Sequence, residues 1–222
     1  MRQSILYKEW LKTRRVFGIL WIITLGLLLY MFISLRSVFR MLGMDTVWDF
    51  VVNQHHILFS ELKYFPLLFG LLPALAQFIP EMQKKRLKLS LHLPLSQRTT
   101  YFTMQLYGFG VILLSFLLQL LIVAIFSQIY FAQEITLNAL ITLLPWYCAG
   151  ICTYLFTALI CLEPSFKRRI LYLPVACGTL YFFYLSDFPG AYTRVWWMYP
   201  LILTVIFPIP FLSVIRFKKG IQ

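Results

Sequence analysis

The sequence predicts an all-α integral membrane protein with six transmembrane helices, both termini in the cytoplasm and no soluble domain. Three observations lead there. Hydrophobic residues make up 60% of the 222 and charged residues only 13%, roughly half the charged share of a soluble domain. An aqueous core cannot hide that much apolar surface, so lipid must solvate it. The apolar residues fall into six runs of spanning length. The basic residues fall between those runs in clusters, as topology determinants do, which turns the net charge of +12 away from nucleic acid.

Taken in order, residues 1–15 place Ile5, Leu6, Trp10 and Leu11 where they can share one helical face, with Lys8, Lys12 and Arg15 on another. This predicts an amphipathic helix in the cytoplasmic interface, Trp10 at headgroup level and Lys12 and Arg15 toward anionic lipid. Span 1, residues 16–35, is uncharged and matches the hydrocarbon thickness. No cleavage-site pattern follows it, so it reads as an uncleaved first helix. Residues 36–63 form an external segment of mixed polarity, part of it continuing as helix. Span 2, residues 64–79, is punctuated by Pro66, Pro73 and Pro80. Proline removes a backbone donor, and spans tolerate it where neighbouring helices resatisfy the freed carbonyls.

Span 3, residues 101–132, exceeds the bilayer and must tilt or project. Gln133 and Glu134 turn it tightly into span 4, residues 135–162. A loop carrying Lys167, Arg168 and Arg169 leads to span 5, residues 170–186. A short external link then reaches span 6, residues 195–215, where Trp196, Trp197 and Tyr199 form an outer aromatic anchor. With six crossings, sixteen of the twenty Lys and Arg residues lie on one side and only Arg36, Arg40, Lys63 and Arg194 on the other. The positive-inside rule makes the rich side cytoplasmic.

Residues 81–96 are the most distinctive stretch. Glu81 sits where a carboxylate favours the positive end of a helix dipole. Lys84, Lys85, Arg86 and Lys88 follow, interleaved with Leu87, Leu89, Leu91, Leu93 and Leu95, too many leucines for a solvated loop. Pro94 ends the helix, and Ser96 is placed to cap the next one. The pattern specifies a short helix, a stop and a restart on the cytoplasmic side, shaped to be gripped by a soluble partner.

Other constellations are weaker. His55 and His56 are adjacent and external, without the spacing of a metal pair, and read as part of a solvated loop; His92 is solitary. Cys148 and Cys152 lie one turn apart beside Gly150, a small-residue pattern of helix packing. All four cysteines, with Cys161 and Cys177, fall in spans, so no disulfide framework is predicted. Charge inside the spans is almost absent, and no catalytic set of Ser/His/Asp, paired carboxylates or zinc ligands can be assembled there. No Gly-x-x-x-x-Gly-Lys-Ser/Thr phosphate loop occurs. The chain reads as neither an enzyme nor a metal protein.

An acidic residue, a basic turn, a Leu-rich stretch and Leu93-Pro94-Leu95-Ser96, placed between spans 2 and 3, resemble the coupling-helix region of ABC-2-type transporter permeases. Residues 5–15 resemble the interfacial elbow helix before their first span. Lys85-Arg86 stands where many members carry Gly-Thr or Gly-Ser. The resemblance implies a permease subunit, an exporter, in the bacterial cytoplasmic (inner) membrane. It implies a second permease chain and a separate cytoplasmic ATPase that binds ATP and Mg, with no cofactor in this chain. The coupling residues would be Glu81, Lys85, Arg86, Leu87, Leu89, Leu91, Leu93 and Pro94, with Glu81 pairing an ATPase base; Lys167 and Arg168 would form a second docking point. The other reading of the same residues is a membrane scaffold that holds a cytoplasmic partner without transport.

Overall fold

The computed structural model describes residues 2–52, 57, 59–83, 96–131, 133–186 and 188–219. Within them the chain is helical: α1 (Arg2–Val52), α2 (Phe65–Met82), α3 (Gln97–Tyr130), α4 (Gln133–Leu162), α5 (Phe166–Phe182), α6 (Met198–Ile206) and α7 (Ile209–Lys219), with 3-10 turns at Ser60–Leu62 and Thr193–Val195. Among the described residues five stretches are long and apolar enough to cross a membrane: Gln3–Val38, Ser60–Met82, Gln97–Tyr130, Ile135–Leu162 and Met198–Lys218.

The separate interfacial helix expected over residues 1–15 does not form. α1 passes through Arg15 and Val16 unbroken, with non-helical backbone only at Gly43 (φ 80°), a conformation that glycine adopts at little cost. No proline or glycine lies between Arg2 and Phe17 to stop the helix. Its buried seam, Ile5, Glu9, Thr13, Phe17, Leu20, Thr24, Leu28 and Met31, advances by three or four residues throughout. One face therefore stays on the bundle across the expected boundary.

The predicted fifth span is the other departure. α5 has 17 residues and reaches only about 26 Å at 1.5 Å per residue, and Lys167, Arg168 and Arg169 occupy its first turn. Length and composition alone do not qualify it as a span. The chain nevertheless retraces the height of α4, since the Gly190 N–H donates to Thr142 Oγ1 at 3.0 Å, twenty residues before the end of α4. The predicted last span qualifies by length and composition as Met198–Lys218 but is interrupted: α6 and α7 meet at Phe207 and Pro208.

α4 is the axis. It is buried on nearly every face through Ala149, Cys152, Tyr154, Leu155, Ala158 and Leu162, and α2, α3, α5, α6 and α7 all pack on it. α2 runs parallel to it at backbone contact. A Cβ on Gly70 would lie 2.0 Å from the Gly150 carbonyl oxygen, and one on Gly150 would lie 2.5 Å from Pro66 O and 2.8 Å from a Phe116 ring carbon. Lipid offers helices no hydrophobic drive to associate, so small residues that admit such approach hold spans together. α1 closes the bundle through Phe17 and Trp21, whose rings sit 6.1 and 6.4 Å from that of Phe69, and through Phe32 stacked at 3.6 Å on Phe126.

Gly70→Val is expected to cost about 3 kcal/mol, read as a lower melting temperature of the detergent-purified protein. Gly18→Ala adds a methyl with no atom within 4 Å and should leave melting unchanged or slightly raised. Equal melting of the two variants would discard the close-approach account.

Candidate functional site

The end of the bundle where α2 and α4 terminate collects the charged side chains. Eight acids occur in the chain, and Glu9, Glu81 and Glu163, three of them, lie at this end with basic partners. Glu81 closes α2 with its side chain 2% exposed, and Lys8 Nζ lies 2.9 Å from its Oε1. Lys12 Nζ donates to the same oxygen and to Glu9 Oε1 at 2.7 Å. Lys8 stands 3.5 Å from Glu9. Taking a carboxylate out of water costs several kcal/mol unless opposite charge and donors replace the solvent. Two lysines and two glutamates on adjacent turns supply that balance. The cluster ties the N-terminal turns of α1 to the last turn of α2, and Thr13 extends the tie to α3 through Tyr107 Oη at 2.8 Å.

A second clamp lies at the end of α4. Glu163 is fully buried. Its Oε2 accepts from Ser213 Oγ at 2.6 Å and from Arg216 Nη1 at 3.2 Å, while Arg168 lies 3.7 Å from Oε1. Arg216 also donates to Tyr172 Oη at 2.8 Å, so the last turns of α7 are bound to both α4 and α5. Between the two clamps lies a groove of about 380 Å³ lined by Ile79, Met82, Gln83, Ile160, Cys161 and Arg169.

Deeper in the bundle, polar side chains connect four helices. Gln77 Nε2 donates to Met104 O at 2.7 Å, and Tyr154 Oη donates to Gln77 Oε1 at 2.9 Å. Gln105 Nε2 donates to Phe207 O at 2.6 Å. That carbonyl is freed because the Phe211 N–H turns to Pro208 O at 3.1 Å, so α3 resatisfies the break in the last span. Gly108 makes room: a Cβ there would lie 2.1 Å from Tyr154 Oη and 2.5 Å from Gln77 Oε1.

Of the residues singled out from the sequence, Lys85, Arg86, Leu87, Leu89, Leu91, Leu93 and Pro94 lie outside the described residues, as do His55, His56 and His92. The flanks of that segment are described. Gln83 follows the Glu81 clamp, and Ser96 caps α3 as its sequence context predicts, accepting from the Thr99 N–H at 3.1 Å. Glu81 itself faces inward, onto α1. Lys12 belongs to its clamp, whereas Trp10 and Arg15 point outward. Lys167 is exposed and Arg168 half-buried beside Glu163. Trp196 and Trp197 are exposed next to α6. Cys148 and Cys152 are free thiols, and no group of three or more metal-ligating side chains occurs among the described residues.

Sequence reasoning passed over Glu9, Glu163, Arg216 and Tyr154. The three acids on the lysine- and arginine-rich side were a usable signal for the first two, because a carboxylate beside a span needs a partner. Tyr154 had none, since its role depends on Gln77 and Gly108 meeting it from other helices.

The family model described as ABC-2 family transporter protein matches residues 5–186. No curated protein and no solved structure matches the chain.

The clamp is open to a double-mutant cycle. Glu81→Leu alone leaves two partly exposed lysines sharing Glu9 and should cost about 2 kcal/mol. Adding Lys12→Met leaves Lys8 opposite Glu9 and should recover much of that loss, with a coupling energy above about 1 kcal/mol in thermal unfolding. Additive effects would mean that the two side chains do not act together.

Proposed function

The chain belongs to the ABC-2 transporter family, a multi-pass membrane component of ABC transporters, and from that membership we propose that it is the permease of an ATP-driven exporter in the bacterial cytoplasmic membrane. On this reading two permease chains, alike or different, work with separate ATPase subunits that bind ATP and Mg. The observation that carries the proposal is the family match over residues 5–186, which takes in the whole bundle as far as the end of α5.

The geometry supports a route for the ATPase stroke. Residues 84–95 would be the coupling segment, with Lys85, Arg86, Leu87, Leu89, Leu91, Leu93 and Pro94 presented to the ATPase and Lys167 and Arg168 as a second contact. On one side the segment is fastened to the bundle by the Glu81 clamp, and on the other it runs directly into α3, whose first turn Ser96 caps. A push on the segment therefore acts on α1, α2 and α3 together. Gln77 and Tyr154 pass it to α4, and Gln105 passes it to the kink between α6 and α7. Packed elements joined this way shift as bodies between discrete arrangements. Glu81 then serves as the anchor of the lever, and the contact with the ATPase falls to the leucines and bases beyond it.

The test leaves Glu81 alone, since its replacement would loosen the bundle. In full-length permease co-expressed with its ATPase, Leu87→Asp with Leu91→Asp should reduce the co-purifying ATPase about tenfold or more, the equivalent of one lost apolar anchor, with membrane insertion retained. Undiminished co-purification from an inserted variant would sink the docking segment.

A further inference from the structure

The groove between the two clamps has no part in the transport scheme. Its floor is apolar, formed by Ile79, Met82, Ile160 and Cys161, and Arg169 and Gln83 stand at its rim. At about 380 Å³ it falls within the range of small-ligand sites, roughly 300–1,000 Å³. Of its lining, Ile79 is exposed, and Phe166 and Ile170, on the same helix as Arg169, are exposed apolar side chains as well. An occupant must combine an apolar body with an anionic end.

Arg169 decides the charge of that end. Its Nε donates to the Glu163 carbonyl at 2.6 Å, which fixes the plane of the guanidinium at the rim. Among the described residues no ion pair or hydrogen bond is made by its two terminal amino groups. The acid nearest to it in sequence, Glu163 six residues before, is buried and turned to Ser213 and Arg216, and Lys167 stands exposed close by. A fixed, half-buried guanidinium with an exposed lysine near it, above an apolar trough at the end of spanning helices, is complementary to a phosphate ester on a hydrocarbon chain.

We propose that this groove binds an anionic phospholipid, one acyl chain lying on Ile79, Met82, Ile160 and Cys161 and the phosphate on Arg169. The site goes beyond the transport reading and does not depend on it, nor on which leaflet this end of the bundle meets. Through Arg169 and the Glu163 carbonyl the headgroup would sit on the same turn that holds α7, so the lipid would also tighten the second clamp.

Native mass spectrometry of the full-length chain, released from detergent after titration with phosphatidylglycerol or phosphatidylcholine of matched acyl chains, reads the site directly. Phosphatidylglycerol should be retained in preference, and should raise the melting temperature while phosphatidylcholine does not. Arg169→Gln should weaken retention about fivefold, the share of one basic residue at a membrane surface. Ile160→Trp, which fills the trough and leaves every charge in place, should abolish it. Melting curves without lipid identify any variant that is merely unfolded, and the other then decides. Equal retention of the two lipids would overturn the proposal, as would unchanged retention in the folded variants. Release by millimolar inorganic phosphate would also overturn it, because a headgroup-only anion site needs no trough.

Discussion

Two helices in lipid gain nothing from hiding apolar surface from water, because both sides of the exchange are hydrocarbon. What remains is dispersion, hydrogen bonding and how near the backbones can come. In this protein α2 and α4 come into backbone contact at Gly70 and Gly150, reinforced by Gly150 on the Pro66 carbonyl. That contact sets the register of α2 against α4, and the rest of the bundle is built on the register. Gln77 meets Tyr154 because it lies two turns further along α2. Glu81 and Glu163 emerge at the same end because the two helices run parallel from the same contact. The groove between them is the space left where the glycines no longer hold the helices together and larger side chains spread them.

The charged end obeys a different physics. Lys8, Lys12, Arg168, Arg169 and Arg216 gather at one end of the bundle, and without acids among them their mutual repulsion would push α1 and α7 away. The three acids found there are each buried and each joined to bases on other turns or helices. Neither clamp is a surface ion pair of the kind that contributes little. Glu81 and Glu163 are shielded from water, and removing a single partner would strand the other. The clamps fasten α1 to α2 and α7 to α4 and α5.

On the proposed transport reading this arrangement has a mechanical sense. A segment that transmits force needs stiff attachments, and helices that must change partners need hydrogen bonds that can be exchanged rather than unmade. The Glu81 clamp and the Ser96 cap supply the stiffness. The glutamine and tyrosine network supplies exchangeable bonds, in a medium where an unmade one is expensive. The proline break at Phe207 and Pro208 leaves the last span able to bend while its open carbonyl is satisfied by Gln105.

Much of the architecture was legible in the chain itself. Apolar runs, the cap at Ser96 and the family resemblance follow from local pattern, because helix length, capping and lipid exposure are decided within a few residues; the turn expected at Gln133 and Glu134 falls earlier, since α3 ends at Tyr130 and both residues already belong to α4. Three features were decided only by tertiary structure. α1 ignores its expected break because Glu9 and Thr13 continue a seam that is visible only once α2 and α3 lie against it. α5 falls short of a span on its own composition, yet its turn and the link to Gly190 retrace α4. The inward face of Glu81 is the third: a carboxylate at the edge of a basic segment reads as ready for a partner, and which partner it takes depends on what the fold brings within 3 Å. Local pattern determines where helices form and which way they point, since those energies are short-ranged. Pairing of buried charges and backbone contacts between glycines join residues fifty to eighty positions apart, and only the packed bundle chooses among them.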